Sequence, residues 1–480
     1  MSAEPFPAEG LPLEEARAQV LAAIQPLAGQ EVLPLERALG RVAAAPVQAP
    51  EAIPGFAASI MDGYAVADIP AVAASENGQS LTGRVLAAGA AAEAAAGAPS
   101  PAASATRPLP PPIGCRWRLV GRAAPAAPWD APLQPGEAVR ILTGAPVPAG
   151  CRRVLPQELV QVAGDQLELV REAGANPWIR AADEEAAAGQ RLLQAGCRLG
   201  PAELARLAGC GIAALAVRSR PRLGLLISGD ELTPVGEPRR PGAIWESNGT
   251  LLQALLQRLG VAVAERRLVA DQPEALRAAL QELASRCDVV VSTGGVSAGD
   301  ADWIRPLVQE LGEVAFWKLY LRPGRPFAFG ELLAGGAPPA ASARGGDASP
   351  TAAPPQQGAA GRRVPFFGLP GNPVAAAITA LQLLWPALQR LEGAEPQLFP
   401  RLRVQLAQAV KRSPGRPELA RARLEVAADG TLLARLEGSQ ASSRIGSLQG
   451  ADLLLEIPAE LGALEAGTSL WAQLLRLPLL

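Results

Sequence analysis

From residue 222 onward the chain alternates between two hydrophobic rhythms. Short runs rich in β-branched and aromatic residues predict buried strands: RLGLLIS (222–228), VAVAERRLVAD (261–271), DVVVS (288–292), VAFWKLYL (314–321), PFAFGEL (326–332) and VPFFGL (364–369). Between and after them come stretches with apolar residues three and four apart: TLLQALLQRLG (250–260), PEALRAALQELASR (273–286), DWIRPLVQELG (302–312) and VAAAITALQLLWPALQRL (374–391). Strands alternating with helices at this spacing predict a parallel, doubly wound α/β sheet over 217–394.

Elsewhere the rhythm changes. Leu13, Ala16, Val20, Ile24 and Leu27 mark an amphipathic helix near the start. GPAELARLAGCG (200–211) reads as a short helix closed by glycine. Residues 47–165 mix Pro/Gly turns with short apolar runs and predict a small β-rich domain. Residues 1–46 with 166–216 are expected to form an N-terminal and linker domain. Over 395–480 the pattern alternates, as in ARARLEVAADGTLLARLEG, with a hairpin signal at Asp429–Gly430, which predicts a small β-barrel. Two Ala/Pro/Gly/Ser-rich stretches, 87–114 and 334–363, hold almost nothing that packs and read as disordered insertions.

Composition then removes whole classes of chemistry. None of the 480 residues is histidine, which excludes imidazole bases, Ser-His-Asp and Cys-His catalysis, and His-ligated metals. The five cysteines, Cys115, Cys151, Cys197, Cys210 and Cys287, form no CxxC pair; their odd, dispersed count fits a reducing cytoplasm. With 44 Lys plus Arg against 46 Asp plus Glu, the net charge of −2 gives no pull toward nucleic acid. No signal peptide is visible at the N-terminus, and no uncharged apolar run reaches about 18 residues, so no membrane span is expected. What remains is hard-cation chemistry with oxygen ligands.

In an open α/β sheet, ligands bind at the carboxyl ends of the strands. Five turns fall on that rim: SGDEL (228–232), Asp271, STGGVSAGDAD (292–302), LRPGRP (321–326) and GLPGNP (368–373). Any one of them alone is ordinary punctuation; together they describe a site. The glycine turns present backbone N–H groups to an anion. Arg322 and Arg325 suit an oxyanion clamp. Asp230, Glu231, Asp300 and Asp302 are the ligand type that Mg²⁺ takes beside phosphate oxygens.

The motifs STGGVSAGDADW, FWKLYLRPGRPFAFG and FFGLPGNPVAA, with PGFAASIMDGYAV (54–66), ILTGAPVPAG (141–150) and ESNGTLL (246–252), resemble in order and spacing the molybdopterin molybdenumtransferases and the similar gephyrin E-domain. The resemblance covers nearly the whole chain outside the two insertions. It implies Mg²⁺-dependent insertion of molybdate into adenylylated molybdopterin, releasing AMP and molybdenum cofactor. It also implies a cytoplasmic homodimer whose site is shared between subunits, fed by a molybdopterin adenylyltransferase and serving apo-molybdoenzymes, with no nucleic acid or membrane involved. Carried over by motif, Asp62, Thr143, Glu185, Glu231, Asp271 and Asp302 take the catalytic polar positions. Ser292, Gly294, Gly295, Gly368, Pro370, Gly371 and Asn372 hold the pterin and AMP portion. Ser297, Arg322, Arg325, Arg421 and Ser443 take molybdate, and Asp230, Asp300 and Asp302 take Mg²⁺. The rivals are the ATP-using adenylyltransferase, which shares the GGVS and GLPGNP turns, and a non-catalytic pterin-binding scaffold.

The chain departs from the family pattern at several places. Arg322 and Arg325 stand where lysines are usual, Arg152 and Arg153 occupy an ordinarily acidic and apolar segment, and Glu185 stands in place of an aspartate.

Overall fold

The computed structural model describes residues 10–69, 110–295, 303–335, 361–436 and 438–475. They form two compact units. One comprises 46–193 with 205–212, and the other the remainder.

The larger unit is built on a six-stranded sheet of β1 (Leu223–Ser228), β2 (Val263–Val269), β3 (Val289–Thr293), β4 (Gly312–Trp317), β5 (Ala328–Ala334) and β6 (Arg362–Leu369), in the order β2-β1-β3-β6-β5-β4. The first four in that order are parallel. The last two run antiparallel to their neighbours, a departure from the wholly parallel sheet expected. The reason is connectivity: only ten residues separate β4 from β5, too few for a helical crossover.

Successive residues of a strand face opposite sides, and here both sides are covered. Leu225 and Ile227 of β1 pack with α2 (Asn248–Arg258) and α5 (Pro373–Leu391). Leu226 packs with α3 (Pro273–Arg286) and α4 (Ile304–Leu311). Helix α5 carries a π turn at Ala380–Leu384 and meets the length and apolarity test for a membrane span, yet 89% of that window is buried in this core. The N-terminal helix α1 (Leu13–Ala23) belongs to the same core rather than to a separate linker domain. Ala16, Val20 and Ile24 are buried in it, and Arg17 donates to the Gln382 carbonyl at 3.1 Å and to Gln382 Oε1 at 3.0 Å.

Five strands, β7 (Arg401–Leu406), β8 (Glu418–Val426), β9 (Leu432–Leu436), β10 (Leu453–Ile457) and β11 (Ser469–Leu474), close into the expected barrel. Its interior takes alternate residues, Ala420 and Ala422 of β8 with Leu453, Leu455 and Ile457 of β10. The β8–β9 hairpin turns at Asp429–Gly430, with Gly430 at φ 86°.

The smaller unit holds a second six-stranded sheet, in the order Arg153–Pro156, Gly63–Val66, Glu137–Ile141, Arg116–Ala123, Gln166–Leu169 and Val160–Ala163. It runs past the expected domain limit at 165, because Gln166–Leu169 pairs with Arg116–Arg118. The two expected insertions fall mostly outside the described residues. Their edges are narrower than expected: Arg362 and Arg363 are strand residues, paired with Ala334 and Leu333. All five cysteines are free, and burial pushes the Cys151 thiol up to about 12.

Candidate active site

The carboxyl ends of the sheet strands open into a cavity of about 1040 Å³ in the larger unit. Four of the five rim turns expected from the sequence line it, in strand order: Asp271 after β2, Ser228, Gly229 and Glu231 after β1, Gly294 and Gly295 after β3, and Pro370 to Asn372 after β6. The fifth, Arg322 to Pro326, enters from the β4–β5 connection.

The two glycine turns meet in the middle. Gly294 has φ 93°, and a Cβ there would lie 2.3 Å from the Ser228 carbonyl oxygen, so no other residue fits this close crossing. Asn248, at the first turn of α2, ties the turns together by donating from Nδ2 to Thr293 Oγ1 at 2.9 Å and to the Gly371 carbonyl at 2.7 Å. Thr293 Oγ1 in turn donates to the Pro370 carbonyl at 3.0 Å. The N-termini of α2 and α5 both begin at this cavity wall, where the Gly249 amide donates to the Glu246 carboxylate at 2.6 Å and the Val374 amide to the Ser442 carbonyl at 3.1 Å, so the helices contribute chiefly their dipoles.

At one end stands a group of carboxylates. Glu231 and Asp271 line the cavity; Asp230 does not, but its Oδ1 accepts from the Asp271 amide at 3.0 Å and so fixes the turn. Burial, and then the charges of Asp230 and Glu231, hold the Asp271 carboxyl above its ordinary range. Such mutual repulsion is relieved by a bound cation.

At the other end the charge reverses. Arg322, Arg325 and Arg416 all line the cavity. Burial, together with the neighbouring Arg325 and Arg322, lowers the pKa of Arg416, so the three guanidinium groups share one small region. Arg416 comes from the barrel approach and donates to the Leu321 carbonyl at 3.3 Å. Ser442 and Ser443 complete this wall.

Several expected residues are placed differently. Arg421 is fully buried and does not reach the cavity; it donates to Ser447 Oγ at 3.0 and 3.1 Å and to the Ala441 carbonyl at 3.2 Å. It holds the 440–443 loop in position rather than touching ligand. Gln440 reinforces that loop by bonding the Arg421 amide and carbonyl, at 2.8 and 3.1 Å. Ser292 and Gly368 are buried strand residues paired with each other in β3 and β6, one step below the cavity wall. Ser297, Asp300 and Asp302 lie outside the described residues.

The remaining three expected residues belong to the smaller unit. Asp62 Oδ1 accepts from the Thr143 amide and from Thr143 Oγ1, each at 2.8 Å. These two bonds, led by the amide, hold the Asp62 carboxyl below its ordinary range. Glu185 pairs with Arg206 at 3.3 Å. The unusual arginines nearby are accommodated: Arg152 pairs with Asp68 at 2.8 Å, and the buried Arg153 donates to the Gly174 carbonyl at 3.1 Å.

Sequence reasoning did not single out Asn248, Arg416 or Trp245 as site residues. Asn248 sits within the quoted ESNG motif, and Arg416 lies in SPGRP, a near copy of the RPGRP turn it joins in space. Either repetition was a usable signal.

Comparison with known proteins agrees with this architecture. Residues 11–211 match the MoeA N-terminal region (domain I and II), 224–390 a probable molybdopterin binding domain, and 403–475 the MoeA C-terminal region (domain IV). The chain is 28% identical over 459 residues to a molybdopterin molybdenumtransferase of Haemophilus influenzae, covering 95% of this chain and 96% of that one. It is 29% identical over 460 residues to molybdopterin molybdenumtransferase 2 of Mycobacterium tuberculosis, covering 94% and 96%. The fold is similar to the crystal structure of a molybdopterin biosynthesis MoeA protein from Pyrococcus horikoshii, with TM-score 0.71 at 22% identity over 97% of this chain and 100% of that one.

Proposed function

Since the chain belongs to the molybdopterin molybdenumtransferase family, we propose that it serves molybdenum cofactor biosynthesis as a transferase, inserting molybdate into adenylylated molybdopterin and releasing AMP. The observation that carries this reading is a single cavity lined by two glycine turns, three carboxylates (Glu231, Glu246 and Asp271) and three arginines. A ligand with a phosphoanhydride in the middle and an oxyanion acceptor at one end matches that sequence of charges.

The residues divide the work. Gly294, Gly295 and Gly371 bind the phosphate groups through backbone N–H donors, with the helix dipoles of α2 and α5 behind them. Arg322, Arg325 and Arg416 gather molybdate beside the dithiolene, their three positive charges converging on an oxyanion. Ser443 lines the same wall. No protein nucleophile is required, which suits a chain without histidine.

Glu231 and Asp271 are two hard oxygen donors at the phosphate end, the number Mg²⁺ commonly takes from protein when phosphate oxygens and water complete its shell. Among the described residues no three acidic or cysteine side chains converge on a preformed metal centre; Asp300 and Asp302, the other expected Mg²⁺ ligands, lie outside them. When bound, the cation neutralises charge on the phosphoanhydride as it breaks.

The reading extends to a cytoplasmic homodimer in which Asp62, Thr143 and Glu185 of one subunit serve the cavity of the other. An adenylyltransferase supplies the substrate and apo-molybdoenzymes take the product. The deciding experiment is AMP release from adenylylated molybdopterin with Mg²⁺ and increasing molybdate. Molybdate-dependent release supports the transferase; ATP-consuming adenylylation of molybdopterin without molybdate would overturn it. For the dimer, mixing inactive Asp62→Ala and Arg325→Ala chains should restore part of the activity, because one of the two hybrid sites is intact. No restoration would sink the shared site.

A further inference from the structure

Trp245 has a position that the anion chemistry does not explain. It lies in a two-residue strand, Ile244–Trp245, paired with Leu232–Thr233 just after β1. Trp245 is 53% exposed and its neighbour Ile244 52% exposed, yet both line the cavity. The ring is nevertheless held in place. Its Nε1 donates to the Glu237 carbonyl at 3.2 Å, and the Arg239 guanidinium lies 5.2 Å from its centroid. Arg239 is itself anchored, donating to the Ala243 carbonyl at 2.6 Å. A large apolar surface fixed in one orientation and left open to a ligand cavity is arranged to receive a flat partner.

The strand order says which partner. Along the rim, the β1 side carries Trp245, Glu231 and Asp271; the glycine turns follow on β3 and β6; the arginines come from the β4–β5 connection. Three strand spacings separate β1 from β5, about 14 Å at ~4.8 Å each. A two-ring ligand joined by a phosphoanhydride spans such a distance with one ring at each end. The ring bearing the dithiolene must lie where molybdate is gathered, at the arginines. The ring on the β1 side is then the nucleobase.

Resting on the transferase reading above, we infer that Trp245, backed by Arg239, is the stacking platform for the adenine ring of the adenylyl group and makes the cavity selective for nucleotide-capped pterin. Ile244 extends the platform under the ribose. The residue acts by binding, not by chemistry: it retains AMP at the far end while the phosphoanhydride is positioned over the glycine turns.

The test is calorimetric titration of the full-length protein, in Mg²⁺, with AMP and separately with ribose 5-phosphate, which carries the same phosphate and sugar without the base. Trp245→Ala is expected to weaken AMP at least tenfold, ~1.4 kcal/mol, and to leave ribose 5-phosphate within twofold. Trp245→Phe, which keeps a ring, is expected to hold AMP within about threefold of wild type. Equal AMP affinity in wild type and Trp245→Ala would overturn the platform while leaving molybdate-dependent AMP release, and so the transferase reading, intact. A parallel loss of both ligands would also overturn it, since the effect would then be structural. Failure of the wild type both to bind AMP and to release it from adenylylated molybdopterin would overturn the transferase reading itself.

Discussion

At Gly294 and Gly371 the cavity wall is backbone; at Arg322, Arg325 and Arg416 it is side chains on long stems. The glycine rim is fixed by steric crowding, Gly294 packed against the Ser228 carbonyl and Asn248 stapling two turns. The arginine wall is fixed by charge. Arg322 lies 3.8 Å from Glu418, whose other oxygen is 3.6 Å from the buried Arg412. The difference teaches where tolerance lies. Gly294 has no room for a side chain, whereas an arginine wall keeps its charge when one cation replaces another. That is why arginines in place of the family's usual lysines still describe an oxyanion site.

The largest effect is expected on the rim. Gly294→Ala forces a Cβ into the Ser228 carbonyl at positive φ, and should cost about 2–3 kcal/mol in denaturant unfolding along with nearly all AMP release. Near-wild-type stability would show that the rim is not sterically fixed. Next comes the wall: Arg322→Ala with Arg325→Ala should lower molybdate-dependent turnover on the order of 100-fold while leaving AMP affinity within twofold. A comparable loss of AMP binding would erase the proposed separation of the two ends. Arg416→Ala should raise half-saturating molybdate on the order of tenfold, and Arg416→Lys should recover most of it, because charge rather than fork geometry is shared among three groups.

A smaller effect concerns the acid end. The folded pKa of Asp271 is raised, so its ionised form is disfavoured and stability falls slightly as pH rises from the unfolded toward the folded pKa. Mg²⁺ affinity moves oppositely, weakening as pH falls through that raised pKa. Asp271→Asn should abolish this slope in Mg²⁺ titrations, and an unchanged slope would assign it elsewhere. Smallest is Thr143→Ala, which removes one of two donors to Asp62. The Asp62 carboxyl pKa, followed by NMR, should move upward part of the way to its ordinary value. The stability that Asp62 contributes above its unfolded pKa, lost as pH falls through the folded one, should shrink accordingly.

Much of this was legible in the chain itself. Buried runs such as LGLLIS and VVVST, spaced by 3.6-period helices, gave the sheet, and motif order placed its turns on one rim. Local pattern was silent about contacts far apart in sequence. The antiparallel edge depends on the short β4–β5 connection, not on either strand's composition. Arg421 carries the same charge as Arg416, five residues away, yet one faces the barrel loop and the other the cavity. Arg421 lies within β8, whereas Arg416 lies in the turn before it. Trp245 carries no motif signal in the sequence; its exposure at the cavity sets it apart.

One backbone detail has a consequence for how the site comes into being. The Arg322 amide donates to the Pro417 carbonyl, and the Arg322 carbonyl accepts from the Leu419 amide, each at 2.9 Å, so the arginine turn is spliced to the first residues of β8. The rim can mature within the α/β sheet, but the wall exists only after a strand nearly a hundred residues later has docked. During synthesis, therefore, the glycine crossing at Gly294 can form before the arginine turn acquires its barrel partner.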